Sequence, residues 1–427
     1  MQLVAFGAQD EYIIGNPQVT FFKVVYRRHT NFSMESMKQL FLSNFDKTSD
    51  TINTCKLTKV GDLVGKIWLQ VKLPALTNTS GTYNNWCNNT GHAFIKECHL
   101  EIGGSLIEKH YSQWLDVYNE LTDHHEKEYI GLNKHSAKNT YLRSKKQGIQ
   151  DDINLYIPLH FFCCKDPGLA LPLLALQYHD VVLKVHTRSI FSLLTGDNLT
   201  ITEGKSPVVD IYADYYFLDT EERQRFTQSS HEYLIEQIQI KLKTPLKSAI
   251  KIDFTHPVKE LIWVVQHSSA ALEQGNTKPS STEIDPTKNT SSSISQKHDY
   301  FNYSAIQTQD SENYNGVTCN EHFSTCKIQF NNQDRISERK ASYFRMCQPL
   351  MAKHRMPKKH IYCYSFALDP GNHTPTGSCN FSRIDKIELL FKTNTSPQNF
   401  QGDITVYAIN YNVLRIASGM GGLAYSN

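Results

Sequence analysis

Apolar and polar side chains alternate from one end of this 427-residue chain to the other, and that period of two limits its fold more than any other feature. In GKIWLQVKL (65–73), Ile67, Leu69, Val71 and Leu73 share one face of an extended strand, while Gln70 and Lys72 point the other way. HDVVLKVHTR groups Val181, Leu183 and Val185, and LIEQIQIKLK groups Leu234, Ile238, Ile240 and Leu242. KELIWVVQH (259–267) is a continuous apolar run, the mark of a strand covered on both faces. HIYCYSFAL (360–368) alternates around Tyr362, Tyr364 and Phe366, and DITVYAINYNVL near the end again reads as strand. Helical spacing is clear in one place, EKHYSQWLDVYNELT (108–122), where Tyr111, Trp114, Leu115, Tyr118 and Leu121 line one face. The 22 Tyr and 21 Phe suit pleated surfaces, so the chain reads as mainly β with a few short helices in loops.

A single core rarely organises more than ~250–300 residues, so two domains are expected. Two echoes share one displacement of 195 residues: Ile67-Trp68 returns as Ile262-Trp263, and Tyr212-Ala213 with Tyr216 returns as Tyr407-Ala408 with Tyr411. Their agreement points to a duplicated β-domain. The charged segment 218–234 breaks the alternation and marks a linker that can form a short helix. The expected division is an N-terminal arm (1–25), a first sandwich (26–218), a linker (219–232), a second sandwich (233–416) and a C-terminal tail (417–427). Two domains of ~200 residues with many strands and long loops fit jelly-roll sandwiches better than small barrels. Residues 274–300, rich in Ser, Thr, Asn and Pro, read as an exposed loop.

Forty-four basic residues against 42 acidic ones leave a net charge of +2, which argues against a dedicated nucleic-acid binder. The longest nearly uninterrupted apolar run, LALPLLAL (169–176), is far short of the ~20 residues needed to span a bilayer, so the chain reads as soluble. No secretory signal is expected, because the mostly apolar stretch ahead of the first acidic residues, Asp10 and Glu11, is only six residues long. Ten cysteines without a C-x-x-C pattern suggest buried, reduced thiols, and the nine N-x-[ST] sequons read as a by-product of composition.

Motifs for chemistry are sparse. GDLVGK (61–66) has three residues between its glycines where a phosphate loop needs four, and it runs into a strand. HEYLI (231–235) and HHEKEY (124–129) lack the second histidine of a zinc helix, and GMGG (419–422) has no helix after it. Cys87, His92, Cys98 and His99 match no compact metal pattern, and strand geometry turns Cys98 away from His99. No metal, cofactor or catalytic residue is therefore expected.

Two basic stretches are candidate contact surfaces. GNPQVTFFKVVYRRHTNFSMES (15–36), read as the first strand, puts Phe22, Val24 and Tyr26 toward a core and Lys23, Arg27 and His29 on the opposite face. Lys23, Arg27, Arg28 and His29 then become candidates for inter-subunit or inner-face contacts. RKASYFRMCQPLMAKHRMPKKH (339–360) holds Arg339, Lys340, Arg345, Lys353, Arg355, Lys358 and Lys359 without an acid, as a loop that binds an acidic partner would.

Eight blocks carry a family resemblance. GAQDEYIIGNPQVTFFKVVYRRHTNFSMES (7–36), KHYSQWLDVYNELT (109–122), YIPLHFFCCKDPGLALPLLALQYHDVVLKV (156–185) and ADYYFLDTEERQRFTQSSHEYLIEQIQ (213–239) cover the first half. HPVKELIWVVQ (256–266), DRISERKASYFRMCQPL (334–350), YSFALDPGNHTPTGSCNFSRID (364–385) and VYAINYNVLRIASGMGGLAYSN (406–427) follow in order. Together they resemble the major capsid proteins of large nucleocytoplasmic DNA viruses. The resemblance implies two consecutive eight-stranded antiparallel jelly rolls and a homotrimeric, nearly hexagonal capsomer that tiles an icosahedral shell in the virion. It also implies assembly in the host cytoplasm, contact with minor capsid proteins, and at most indirect contact with an internal membrane. The 270–315 loop becomes a candidate for outer decoration or trimer contact.

Jelly rolls also serve as carbohydrate-binding and carbohydrate-cleaving proteins, a reading that would need a carboxylate pair across a cleft. No motif proposes such a pair. A shell protein that binds nucleic acid through 339–360 is the third possibility, and its affinity would fall steeply with salt.

Overall fold

A computed structural model describes residues 16–18, 20–24, 26–43, 45, 49–74, 76–78, 84–87, 89–122, 130, 153–196, 199–201, 206–267, 300–301, 303, 321–393 and 402–425. The 270–315 loop thus lies almost wholly outside the described residues. Eight principal strands build a first sandwich: β1 (Phe32–Gln39), β2 (Thr51–Lys56), β3 (Leu63–Leu73), β4 (Ile95–Ile102), β5 (Ser105–Tyr111), β6 (Ile153–Pro158), β7 (Val181–Thr187) and β8 (Val208–Leu218). Eight more build a second: β9 (His231–Pro245), β10 (Ala249–Ile252), β11 (Pro257–His267), β12 (Phe323–Phe330), β13 (Gln333–Lys340), β14 (Ile361–Ser365), β15 (Ile387–Thr393) and β16 (Gly402–Ala417).

The sheets run β1-β8-β3-β6 and β2-β7-β4-β5 in the first sandwich, and β9-β16-β11-β14 and β10-β15-β12-β13 in the second. Numbered within each unit, both read 1-8-3-6 facing 2-7-4-5, with every pairing antiparallel. That is jelly-roll topology, realised twice. The fourth and fifth strands of each unit meet in a two-residue hairpin whose central residues both take positive φ, Gly103-Gly104 (57° and 81°) in one and Asn331-Asn332 (48° and 66°) in the other. Glycine and asparagine are the residues that tolerate this turn, so one backbone solution is written in two spellings.

The alternation places the core as expected: Ile67, Leu69, Val71, Leu73, Val181, Leu183 and Val185 are buried in the first sandwich. In the second, Leu261, Trp263, Val265, Tyr362, Tyr364, Val406 and Ala408 fill the space between its two sheets. Ile262, Val264, Ile361, Cys363, Tyr407 and Ile409 face the other way and join the core of the first sandwich. Both faces of the central strands β11 and β16 are therefore covered, which explains the unbroken apolar run in β11.

The echoes fall on equivalent strands, β3 with β11 and β8 with β16, but slipped by one residue. Tyr212 pairs with Trp68, whereas Tyr407 pairs with Ile262. A slip of one exchanges the two faces of a strand. Ile67 lies in its own core and Trp68 outside it, whereas Trp263 fills its own core and Ile262 meets the first sandwich.

Four sequence expectations need correction. The described residues between 20 and 31 form no strand, and Phe22, Val24 and Tyr26, expected in a core, are 82–99% exposed. The ladder of β1 starts at Phe32↔Leu218, and β8 ends at Leu218, so no partner edge exists for earlier residues. The helix expected from 108 starts at Ser112, because Glu108–Tyr111 still pair with β4. Leu242 is exposed, since β9 shifts register between Lys241 and Thr244. The C-terminal residues are not a free tail: Met420–Leu423 pair with β16, and Tyr178 donates its backbone N–H to the Gly419 carbonyl at 3.0 Å.

The nine described cysteines form no disulfide. No described helix is long and apolar enough to cross a membrane.

Candidate assembly surfaces

Helix α1 (Thr90–Phe94) precedes β4, and α2 (Ser112–Thr122) follows β5. In α2 the i, i+3, i+4 spacing turns Trp114, Leu115 and Leu121 inward, and the helix lies against the outer face of the β9-β16-β11-β14 sheet. Trp114 and Tyr407 rings meet at 5.0 Å, and the Tyr407 hydroxyl donates to Gln113 Oε1 at 2.7 Å. Asp116 accepts from Lys359 Nζ at 2.7 and 2.9 Å and from the Tyr303 hydroxyl at 2.9 Å. The backbone N–H groups of Arg355 and Lys358 donate to the Leu121 carbonyl and to Glu120 Oε1. One helix of the first sandwich is thereby fastened to three segments of the second.

A buried ionic cluster closes the same seam. Lys165, the last residue of α3 (Phe162–Lys165), and Lys259 in β11 both reach Glu236 in β9, Lys165 at 2.8 Å. Burial alone would push the Glu236 carboxyl up, but the two ammonium groups override it and hold it down at about 2. Lys259 also donates to the Pro370 carbonyl at 2.6 Å. Nearby, the buried Glu260 carboxylate lies 3.0 Å from His354 and raises its pKa against the opposing effect of burial. Helix α4 (Thr220–Gln228) spans the junction between the sandwiches, with Asp219 accepting from the Thr220 N–H and Arg223 reaching Asp62 at 2.9 Å.

Each sandwich carries two matching parts: the outer face of a 1-8-3-6 sheet and a helix after its fifth strand. Within the chain, α2 of the first covers the sheet of the second. That leaves one of each part over. The outer face of β1-β8-β3-β6 shows Trp68 stacked on Tyr212 at 6.0 Å, with exposed Met34, Tyr156 and Val208 around them. In the second sandwich, a π-turn (Tyr343–Cys347) and α5 (Gln348–Met351) occupy the place of α2, and Leu350 and Met351 are 75% and 66% exposed. Apolar groups gathered at corresponding places on two surfaces are what an interface between copies requires.

The two basic stretches fare differently. Lys23, Arg27, Arg28 and His29 are all exposed, next to the exposed aromatics of the same segment. The 339–360 set does not form one patch. Arg345 is 2% exposed and bonded through Nε to Glu321 at 3.0 Å, Lys359 is held by Asp116, and Lys353 pairs with Asp369 at 2.9 Å. Arg339 and Lys340 lie on β13, and Lys358 is exposed beyond α5. The acids that neutralise the stretch sit far away in sequence, where a local charge count cannot find them. Cys98 is buried while His99 faces outward, and His92 lies 2.9 Å from Asn89, so Cys87, His92, Cys98 and His99 do not converge.

Residues 20–219 match the family described as major capsid protein N-terminus, and residues 222–422 match the large eukaryotic DNA virus major capsid protein. The major capsid protein of Pyramimonas orientalis virus is 38% identical, with 100% of this chain and 99% of that protein aligned. That of Paramecium bursaria Chlorella virus 1 is 36% identical over the same shares. Among solved structures, the PBCV-1 virus capsid superposes with a TM-score of 0.73 at 31% identity, covering 96% of this chain and 100% of that one. The Faustovirus major capsid protein shares the fold at a TM-score of 0.67 and 12% identity.

Proposed function

Because this chain belongs to the family of large eukaryotic DNA virus major capsid proteins, we propose that it forms the shell of a virion as a homotrimeric, pseudo-hexagonal capsomer and has no enzymatic role. The observation that carries this reading is the pair of unmatched parts. The α5 segment of one copy docks on the Trp68–Tyr212 face of the next, repeating between chains the contact that α2 makes within one. Head-to-tail contacts of this kind are heterologous, and they close into a ring when the rotation from one copy to the next divides a full turn. Two similar wedges per chain make three chains the natural closure for a six-sided tile.

In this reading the arm runs to residue 25 and the sandwiches occupy 26–218 and 233–416, and the exposed segment before β1, which crosses the first of these boundaries, buries Phe21, Phe22 and Tyr26 against a neighbour or the inner surface. Lys23, Arg27, Arg28 and His29 accompany it there. Arg339, Lys340 and Lys358 face neighbouring capsomers or minor capsid proteins, contact with an internal membrane is indirect, and assembly takes place in the host cytoplasm. The test is the native mass of the purified protein by light scattering. The expected mass is about three times 48.9 kDa, and a strict monomer at micromolar concentration overturns the proposal. Reversing charge with Arg27→Glu and Arg28→Glu is expected to leave the monomer folded but to impair trimer or shell formation. Normal particles from that variant would remove the arm from the contact.

A further inference from the structure

On the outer face of the β2-β7-β4-β5 sheet, away from the seam, Glu97 and His99 stand two residues apart on β4, so their side chains leave the same side. His186 on β7 lies directly opposite Glu97 in the ladder. The three donor atoms all fall within 4.8 Å of one another, with Glu97 Oε2 at 3.1 Å from His99 Nε2 and 3.9 Å from His186 Nδ1. The two rings are 4.6 Å apart. We propose that Glu97, His99 and His186 bind a divalent ion of the zinc type on this outer face.

The geometry suits such an ion. Donor atoms ~2.1 Å from a shared tetrahedral centre stand roughly 3.4 Å apart, and the two Glu97 distances, 3.1 and 3.9 Å, lie on either side of that spacing. Two imidazoles and a carboxylate are a donor set zinc takes, and it leaves a fourth position open. All three residues are half-buried, so the ring orientations are held by the sheet while the open position faces outward. His99 must then carry its proton on Nδ1, leaving Nε2 as the ligand. One charged neighbour competes. Lys109 on β5, opposite His99, holds Glu97 Oε2 at 2.9 Å and must swing aside when the ion enters. Lys184 and Glu101, paired at 2.7 Å, lie on the same face, as does Lys56 on β2, which pairs with Asp180 at 2.6 Å. The ion would lock the two central strands of the sheet together and offer its open position to water or to a donor from a neighbouring subunit.

The experiment is equilibrium dialysis of the intact protein against zinc chloride at pH 7.5, read by elemental analysis. The expected result is about one ion per chain with micromolar affinity, weakened at least tenfold in both His99→Ala and His186→Ala. Lys109→Met, which removes the competing ammonium, is expected to bind more tightly. Cys347→Ser, at an exposed thiol elsewhere, is expected to bind as the wild type does. Absence of micromolar binding, or equal binding by the two histidine variants and the wild type, overturns the site. These readouts do not depend on trimer formation.

Discussion

Replacing Leu350 and Met351 together by glutamate is expected to convert trimers into folded monomers. Both side chains are largely exposed within one chain, at 75% and 66%, so the substitution removes little internal contact and the melting temperature of the monomer should change little. At the proposed interface each loses burial worth ~1.5–3 kcal/mol, and two carboxylates must also be desolvated. A loss of that size weakens each contact by roughly 100-fold or more. Trp68→Glu with Tyr212→Glu, on the opposite side of the same contact, is expected to give the same monomer by sedimentation. If either pair leaves the trimer intact at unchanged protein concentration, α5 does not dock on the Trp68–Tyr212 face.

The second large effect concerns the seam inside the chain. Glu236→Leu leaves Lys259, a fully buried ammonium, and Lys165 without their carboxylate. Removing one partner of a buried ion pair costs about 3–5 kcal/mol, because the remaining charge stays desolvated. Glu232→Gln serves as the comparison, since its Arg415 partner is exposed and such pairs contribute only ~0–1 kcal/mol. The double change Glu236→Met and Lys259→Met should recover much of the loss by replacing charge with packed apolar volume. Denaturant unfolding in which Glu236→Leu costs no more than Glu232→Gln would refute the assignment.

Acid should reveal the same carboxylate. The Glu236 pKa is depressed in the folded chain to about 2 from an ordinary 4.5, so its stabilisation is full above pH ~4.5 and fades as pH falls toward 2. His360, held by burial at about 4, adds an earlier loss: the unfolded chain protonates it below its ordinary 6.5, and the folded chain resists until pH ~4.

Much of the fold was legible in the residues. Alternation along β3, β7 and β11 identified strands because the two faces of a strand are set by neighbouring residues alone. The two echoes found the duplication, and the eight blocks found the family. Legibility failed wherever a distant partner decides the outcome. Nothing near Phe21 and Phe22 says that β8 stops at Leu218 and leaves them without an edge to pair with. Nothing around Arg345 or Lys359 announces Glu321 and Asp116. For His99 the local signal was half present, as Glu97 two residues away, but His186 arrives only when β7 pairs with β4.

The sequence by itself therefore determined the β class, the twofold division and the strands that build it, since each rests on periodicity or on similarity read along the chain. Only the tertiary structure decided which face of each strand meets which neighbour. A one-residue slip in the ladder puts Ile67 and Trp263 in their own cores while turning Trp68 outward and Ile262 toward the first sandwich. Register is set by bulges and long-range pairing, and those depend on the whole chain at once.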